Sequence, residues 1–238
     1  MQNTIQTQDS DYDANKAVLI LSGGLDSTTL LYKLLEEGLE VHALSFNYGQ
    51  KHSKELKYAQ KTCEILGVPY KIVDLSILAA TDFFSRSSLT SDLEIPEGHY
   101  EEESMKTTVV PNRNMIMISL ALGYAITIQA KHVYYGAHAG DHAIYPDCRP
   151  IFIEKMQEAA RVCHYYPVDL HAPFQHYTKG EIVAEGLKLK ADYSLTWTCY
   201  KGKDVACGKC GSCVERLEAF EDNDVVDPLP YHQQTGGT

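Results

Sequence analysis

The apolar run Ala17-Val18-Leu19-Ile20-Leu21 ends in Ser22-Gly23-Gly24-Leu25-Asp26-Ser27 and passes directly into a helix-forming stretch, Thr28 to Leu35. A buried strand that turns through two glycines into a helix commits the surrounding chain to an α/β arrangement and gives it a place to hold phosphate. The glycines permit positive φ and a close backbone approach. The N–H groups of the turn and the helix N-terminus supply partial positive charge. Ser22, Ser27 and Thr28 add hydroxyl donors, so Leu21 to Thr28 is the expected nucleotide cradle. No Lys-Ser or Lys-Thr pair closes the loop, which excludes the GxxxxGK[ST] phosphate loop. An ordinary glycine turn would account for two glycines, but not for the whole hexapeptide behind a buried strand.

Beyond this point apolar runs alternate with helical patterns. Strands are expected at Val18–Leu21, Val41–Phe46, Tyr70–Asp74, Val133–Tyr135 and Val168–His171. Helices are expected at Ser27–Glu37, Ser53–Leu66, Asn114–Gln129, Ile151–Cys163 and Lys179–Lys190. Such alternation predicts βαβ units and a doubly wound, mostly parallel sheet. Ligands in these sheets sit beyond the carboxyl ends of the strands, near the point where strand order reverses. The loop 22–27 ends there, as do Asn47-Tyr48-Gly49-Gln50, Asp74 and the stretch from Gly136 to Asp141. Phe46 and Asn47, closing the second strand, therefore join the expected ATP-binding set.

The α/β domain is expected over 16–190, between a polar tail at 1–15 and a cysteine-bearing segment at 191–225, with a second tail at 226–238. Residues 80–106 interrupt the pattern with Ser85, Ser87, Ser88, Ser91, Pro96, Gly98, Glu97, Glu101, Glu102 and Glu103. They read as a mobile cover over the site or a solvated insertion rather than as core.

A chain of 238 residues with 44% hydrophobic content can bury one sizeable core. Its formal net charge of −11 argues against a broad nucleic-acid footprint, which requires clustered Lys and Arg, and favours a small-molecule substrate. No apolar stretch reaches the ~18 residues of a membrane span. Met1 to Asn15, polar and carrying Asp9, Asp11 and Asp13, has neither the basic nor the apolar region of a signal peptide. The cytoplasm is the expected compartment.

Four of the seven cysteines, Cys199, Cys207, Cys210 and Cys213, lie close together. In an intracellular chain this pattern points to metal rather than to disulfides. Two residues between successive cysteines, with Gly208 and Gly211, allow a tight knuckle that turns three thiolates inward, and Cys199 completes a tetrahedron. Four thiolates and no histidine match one closed, structural Zn²⁺ site. An iron–sulfur cluster is the rival, weakened because the fourth cysteine comes early rather than three residues later before a proline. Cys63 and Cys163 read as core residues of helices. Cys148, between Pro146 and Pro150 and beside Arg149, reads either as a reactive thiol or as a packed one.

The loop at 22–27 resembles the SGGxDS pyrophosphatase loop of ATP enzymes that adenylate a substrate and release pyrophosphate. Further tracts follow in order: Asn47-Tyr48-Gly49-Gln50-Lys51-His52, Val110-Pro111-Asn112-Arg113-Asn114, Tyr145 to Pro150, Thr178-Lys179-Gly180-Glu181-Ile182-Val183 and the cysteine quartet. Together, over about Lys16 to Phe220, they resemble the QueC family of 7-cyano-7-deazaguanine (preQ0) synthases. The chain departs from the family's usual pattern at Asn112, where Gly is common, at Lys51, where Arg is, and at Ile151, where an acidic residue is.

The resemblance implies an adenine nucleotide alpha hydrolase-like fold and a C–N bond-forming ligase of queuosine biosynthesis. Its substrates would be 7-carboxy-7-deazaguanine, ammonia and ATP with Mg²⁺. The carboxylate would be adenylated, converted to an amide, activated again and dehydrated to the nitrile. The protein's part in this is positioning and stabilisation of charge on the transferring phosphorus. Asp26 would order the loop or hold Mg²⁺. Lys179 and Arg113 are candidate phosphate cations, each weighed against a solvated surface charge. For the acceptor, Asp147 would receive the ring N–H groups, Arg149 would pair with the carboxylate, and Tyr48 or Tyr145 would stack. The alternative for Asp147 and Arg149 is that they tie together a proline-bounded turn. Direct nucleic-acid binding is not expected, and a homodimer is left open.

Two other classes share parts of this pattern. A tRNA-modifying thiolase or lysidine-type ligase uses the same ATP loop but would want a basic docking surface. A non-catalytic, zinc-stabilised nucleotide-binding module would show no acceptor-dependent turnover of ATP to AMP and pyrophosphate.

Overall fold

The structure, a computed structural model, describes residues 12–51, 54–201 and 204–232. His52, in one of the family tracts, Ser53, the expected first residue of the second helix, residues 1–11 of the first expected tail and 233–238 of the second lie outside the described residues.

Five strands, β1 (Asp13–Ile20), β2 (Glu40–Asn47), β3 (Tyr70–Asp74), β4 (Ala130–Tyr134) and β5 (Asp169–His171), form one parallel sheet in the order β3-β2-β1-β4-β5. Ala17, Val18 and Leu19 of the central strand are fully buried. A strand covered on both faces needs apolar residues at successive positions, which is why the sequence there is a run and not an alternation. Val18, Leu44, Val133 and Leu170 pack on one side against α4 (Arg113–Thr127) and α5 (Pro150–Val162), through Ile118, Leu122, Ile153 and Met156. Leu19, Val41 and Ala43 face the other side. They meet α1 (Leu25–Glu36), α2 (Lys54–Leu66), α6 (Lys179–Lys188) and α7 (Gly211–Glu221), through residues that include Leu30, Leu31, Cys63, Ile182, Val183 and Phe220. A short helix, α3 (Ser76–Ala80), follows β3.

Strands one to three spread to one side and the chain then returns across β1 to β4, so strand order reverses between these two. Ligand crevices open at such a reversal. The turn after β1 and the loop after β4 flank it closely. A Cβ on Gly136 would lie 3.3 Å from the Ser27 backbone nitrogen, so the two loops touch at a residue with no side chain.

Several expectations are corrected. Residues 13–15, expected as tail, are the first residues of β1, and Asp13 N–H donates to Gln129 O at 2.9 Å. Residues 226–232, also expected as tail, are anchored by Asp227, which forms a buried ion pair with Arg216 at 2.7 Å, and by Leu229. No helix was expected over α7, yet its Ala219 and Phe220 pack with Leu19, Val41 and Ala43 on one face of the sheet, so the cysteine segment is built onto the sheet. Cys163, expected in a core, is exposed, whereas Cys63 is buried as expected.

The 80–106 stretch is exposed over much of its length, as expected of a solvated insertion, but it is anchored to the core at several points. Phe84 and Leu89 join the main core, and Ile95 packs with Trp197 and the cysteines. Several of its hydroxyls are spent on local turns: Thr90 Oγ1 donates to Phe84 O at 2.6 Å and Ser91 Oγ to Ser87 O at 2.7 Å. Polar composition there reflects turn chemistry as well as exposure.

Candidate active site

A cavity of about 250 Å³ opens at the strand-order reversal. Leu21, Ser22, Gly24, Leu25, Asp26 and Ser27 line it, with Phe46 and Tyr48 from the second strand's end. Gly24 stands at the N-cap of α1 and offers no side chain to cap it, so the first N–H groups of the helix are left for an anion. The hydroxyls shape the loop. Ser22 N–H donates to Ser27 Oγ at 3.1 Å, Gly24 N–H donates to Ser22 Oγ at 3.1 Å, and the two hydroxyls are 2.9 Å apart.

Gly23 and Thr28 act behind this surface. Gly23 has φ +85°, and a Cβ there would lie 2.1 Å from the Glu55 carbonyl oxygen, so α2 presses directly on the turn. Thr28 is fully buried and does not line the cavity. Asn47 does not line it either. Its Nδ2 donates to Asp74 Oδ1 at 3.2 Å and its Oδ1 accepts from Gly49 N–H at 3.3 Å, bracing the next loop.

The cation expected at Lys179 is in place and is not a solvated surface charge, since its side chain is only 8% exposed. Nζ lies 2.7 Å from Asp26 Oδ2, 3.2 Å from Glu215 Oε2 and 2.8 Å from His138 Nε2. Burial alone would lower the Lys179 pKa, but the charges of Asp26, Glu215 and Asp141 hold it above the ordinary lysine value. Burial would raise Asp26, and Lys179 with His138 brings it below its usual value instead. Glu215, though paired to the same lysine, is pushed up by burial. Asp26 Oδ1 is buried and has no hydrogen-bond partner among the described residues. A carboxylate oxygen without a partner beside a phosphate cradle suits a hard divalent cation of the kind that accompanies ATP.

Tyr48, Gln50, Lys51, Glu55, Arg113 and Asn114 also line the cavity. The Arg113 guanidinium lies over the Tyr48 ring, 5.7 Å from its centre. Lys51 reaches across to Leu93 O at 2.6 Å, tying the 80–106 stretch to the rim. Asn112, the departure from the usual glycine, has φ +57°, a left-handed conformation that asparagine tolerates among non-glycine residues. Ile151, another departure, is exposed in the first turn of α5, away from the cavity.

The acceptor residues expected in the Tyr145–Pro150 turn are not on this cavity. Asp147 Oδ2 accepts from the Asn114 backbone N–H at 3.0 Å, serving the N-terminus of α4. A carboxylate there satisfies an orphan helix donor and complements the helix dipole. Arg149 is exposed and its Nε donates to His142 O at 2.9 Å. Tyr145 is bonded to Thr108 at 2.7 Å and Tyr200 at 3.0 Å. Cys148 does line the cavity but is buried, with its thiol pKa pushed well up by burial, and it accepts from Asn114 Nδ2 at 3.2 Å. It is the packed thiol of the two alternatives.

The four cysteines Cys199, Cys207, Cys210 and Cys213 bring their Sγ atoms within 4.8 Å of one another, and none is in a disulfide. Cys207 and Cys213 Sγ are 3.9 Å apart, against the ~3.8 Å edge of a tetrahedron with metal–sulfur bonds of about 2.3 Å. Backbone N–H groups of Cys207, Lys209 and Cys210 point at the sulfurs from 3.3–3.4 Å. This donor set fits a metal and leaves no oxygen or nitrogen ligand in the cluster. Glu55 and Glu215 were not expected at the site, and no local motif distinguishes them from surface charges; His138 and Asp141 fall in the Gly136–Asp141 stretch expected at the crevice but carried no individual role.

A helix N-terminus turned to the crevice, with a buried lysine held behind it by carboxylates, places the chain among α/β enzymes that bind nucleotide at a pyrophosphatase loop. The narrower assignment comes from comparison. The family profile described as "Queuosine biosynthesis protein QueC" matches residues 16–224, and the chain belongs to that family. The 7-cyano-7-deazaguanine synthase of Hahella chejuensis is 58% identical over 229 residues, 96% of this chain and 98% of the relative. The protein of that name from Marinobacter nauticus is 61% identical over 219 residues, 92% of this chain and 98% of the relative. Among solved structures, the NH3-dependent NAD synthetase from Campylobacter jejuni aligns at 21% identity over 92% of this chain and 80% of that one, with a TM-score of 0.47. A 4-thiouridine synthetase–RNA complex with bound ATP aligns at 19% identity over 85% and 49% of the two chains, with a TM-score of 0.49.

Proposed function

We propose that the chain is an ATP-dependent 7-cyano-7-deazaguanine synthase, joining 7-carboxy-7-deazaguanine and ammonia to form the nitrile preQ0. The observation that carries this reading is the 58% identity to a synthase of that name over 96% of the chain. A carboxylate is a poor electrophile because oxide would have to leave. Transfer of AMP from ATP converts it to an acyl-adenylate with loss of pyrophosphate, and ammonia then displaces AMP to give the amide. Transfer of a second AMP to the amide oxygen, with pyrophosphate again released, is followed by loss of AMP and a proton to leave the nitrile.

The residues of the cleft support these steps by position. The α1 N–H groups and the hydroxyls of Ser22 and Ser27 would take the departing pyrophosphate. Lys179 would hold positive charge against the transferring phosphate. Asp26 Oδ1 would take the Mg²⁺ that arrives with ATP. Arg113 would meet phosphate or the acceptor carboxylate, and Tyr48 offers a face for the deazaguanine ring. A Zn²⁺ at the cysteine quartet would be structural, holding Trp197 and Cys199 at the cavity wall. Among the described residues no helix is long and apolar enough to cross a membrane. We place the reaction in the cytoplasm on small-molecule substrates, in keeping with a net charge of −11.

Mass spectrometry of the products from protein, ATP, ammonium and 7-carboxy-7-deazaguanine tests the proposal. The expected products are preQ0, AMP and pyrophosphate, with the carboxamide seen at early times. ATP consumption without nitrile, or modification of an added tRNA instead, would overturn it.

A further inference from the structure

We propose that Glu55 is the residue that reads the guanine-like edge of the acceptor, its carboxylate receiving the ring N–H and the exocyclic amino group. This inference rests on the preceding reading of the acceptor as a deazaguanine. The residue sits in the first turn of α2 and lines the cavity on the wall that carries Tyr48 and Arg113.

Its carboxyl group is held by hydrogen bonding and not by a cation. Gln50 Nε2 donates to Glu55 Oε1 at 3.2 Å and to Phe46 O at 3.3 Å, while Gln50 Oε1 accepts from Tyr48 N–H at 2.8 Å. The clamp thus ties the carboxylate to the tyrosine whose ring is offered to the acceptor. Among the described residues no Lys, Arg or His forms an ion pair with Glu55 within 4.0 Å. The Glu55 carboxyl is pushed up to about 7 by burial, against the Gln50 hydrogen bond and the Arg113 charge.

An acidic side chain buried without a cation favours its protonated form, and a ligand that brings donors favours the carboxylate instead. A guanine-type edge offers two neighbouring N–H donors, and a carboxylate with two oxygens accepts both. The acceptor carries its own carboxylate at the other end of the molecule, and the same wall carries Arg113, which likewise has no carboxylate within 4.0 Å among the described residues. The wall thus offers one acidic and one basic group to a ligand that has donors at one end and a carboxylate at the other. Asp147, the residue the sequence suggested for this role, is engaged by the α4 N-terminus.

The test is a double-substitution cycle. Glu55→Gln and wild type are assayed with 7-carboxy-7-deazaguanine and with the analogue lacking the exocyclic amino group. Removing one charged hydrogen bond is expected to raise the acceptor KM about ten- to a hundredfold in Glu55→Gln, with the ATP KM changed less than twofold. Wild type should discriminate strongly against the analogue and Glu55→Gln should not. Glu55→Asp, which keeps the charge but retracts it by one methylene, should fall between the two. Equal loss on both acceptors, or an effect confined to the ATP KM, would overturn the assignment while leaving the function intact. No nitrile from wild type would overturn both together.

Discussion

Replacing Lys179 with methionine tests whether the buried cluster is the charge-balanced device described here. The substitution keeps the length and most of the volume of the side chain and removes only its charge. In the native protein Nζ sits 2.7 Å from Asp26 and 3.2 Å from Glu215, whose side chains are 21% and 12% exposed. Removing one member of a buried ionic cluster typically costs about 3–5 kcal/mol, because the remaining charges stay desolvated. The exposure of Asp26 places the expected loss toward about 3 kcal/mol, which for a protein of this size lowers Tm by roughly 6–12 °C.

The sign of its pH dependence is fixed by the two carboxylates. In wild type Lys179 keeps Asp26 below its ordinary pKa, so that group adds stability above its unfolded value, which is lost as pH falls through its folded value. In Lys179→Met the Asp26 carboxyl rises above its unfolded value and that of Glu215, already raised by burial, rises further. The penalty is then full at alkaline pH and fades as the carboxyls take up protons. The Tm gap between the two proteins should be largest at pH 8 and should narrow toward pH 5.5. Melting curves at a series of pH values, with pyrophosphate release measured alongside, make the comparison. A gap that is the same at both ends, or absent at pH 8, would refute the charge-balance argument, and undiminished pyrophosphate release would refute the role of Lys179 at the phosphates.

Three further outcomes are expected. The purified protein should carry about one Zn²⁺ per chain, colourless, and its chelation should lower Tm and change the emission of the single tryptophan, Trp197, whose indole donates to Cys199 O at 3.1 Å; a brown sample absorbing near 400 nm would indicate iron–sulfur instead. Asp147→Ala should lower Tm by removing an α4 cap, at about 0.5–2 kcal/mol, and affect the ATP and acceptor KM values alike; a change confined to the acceptor KM in a stably folded variant would return Asp147 to the binding site. Gly23→Ala should cost roughly 1–3 kcal/mol from its left-handed φ alone and displace α2, visible as a lower Tm together with lost pyrophosphate release; a native melting curve would show that the turn tolerates a Cβ.

What was legible in the sequence is what short-range chemistry determines. Ser22 to Ser27 announce a phosphate cradle because the glycine turn, the hydroxyls and the helix start are covalent neighbours. The cysteine quartet announces a metal because its ligands lie within 15 residues of one another, with glycines between them. The core of β1 was visible because a central strand covered on both faces must be apolar at successive positions, as Ala17, Val18 and Leu19 are. The composition of 80–106 misled in part, since hydroxyl side chains spent on their own turns look the same in sequence as hydroxyls offered to water. Lys179 was singled out from its motif, but its partners were not. Asp26 is 153 residues away, and Glu215 and His138 carry no local mark of burial. Asp147 looked like a ligand-binding acid within its own turn and became a helix cap only when the α4 N-terminus, 33 residues earlier, was folded against it. Glu55 passed unnoticed for the converse reason: a first-turn glutamate is ordinary on a helix surface, and only the packing of α2 against Gly23 turns it into the cavity. Local backbone chemistry is written in neighbouring residues, whereas the charge state and facing of a side chain depend on which distant elements remove it from water, and that is decided only in the folded chain.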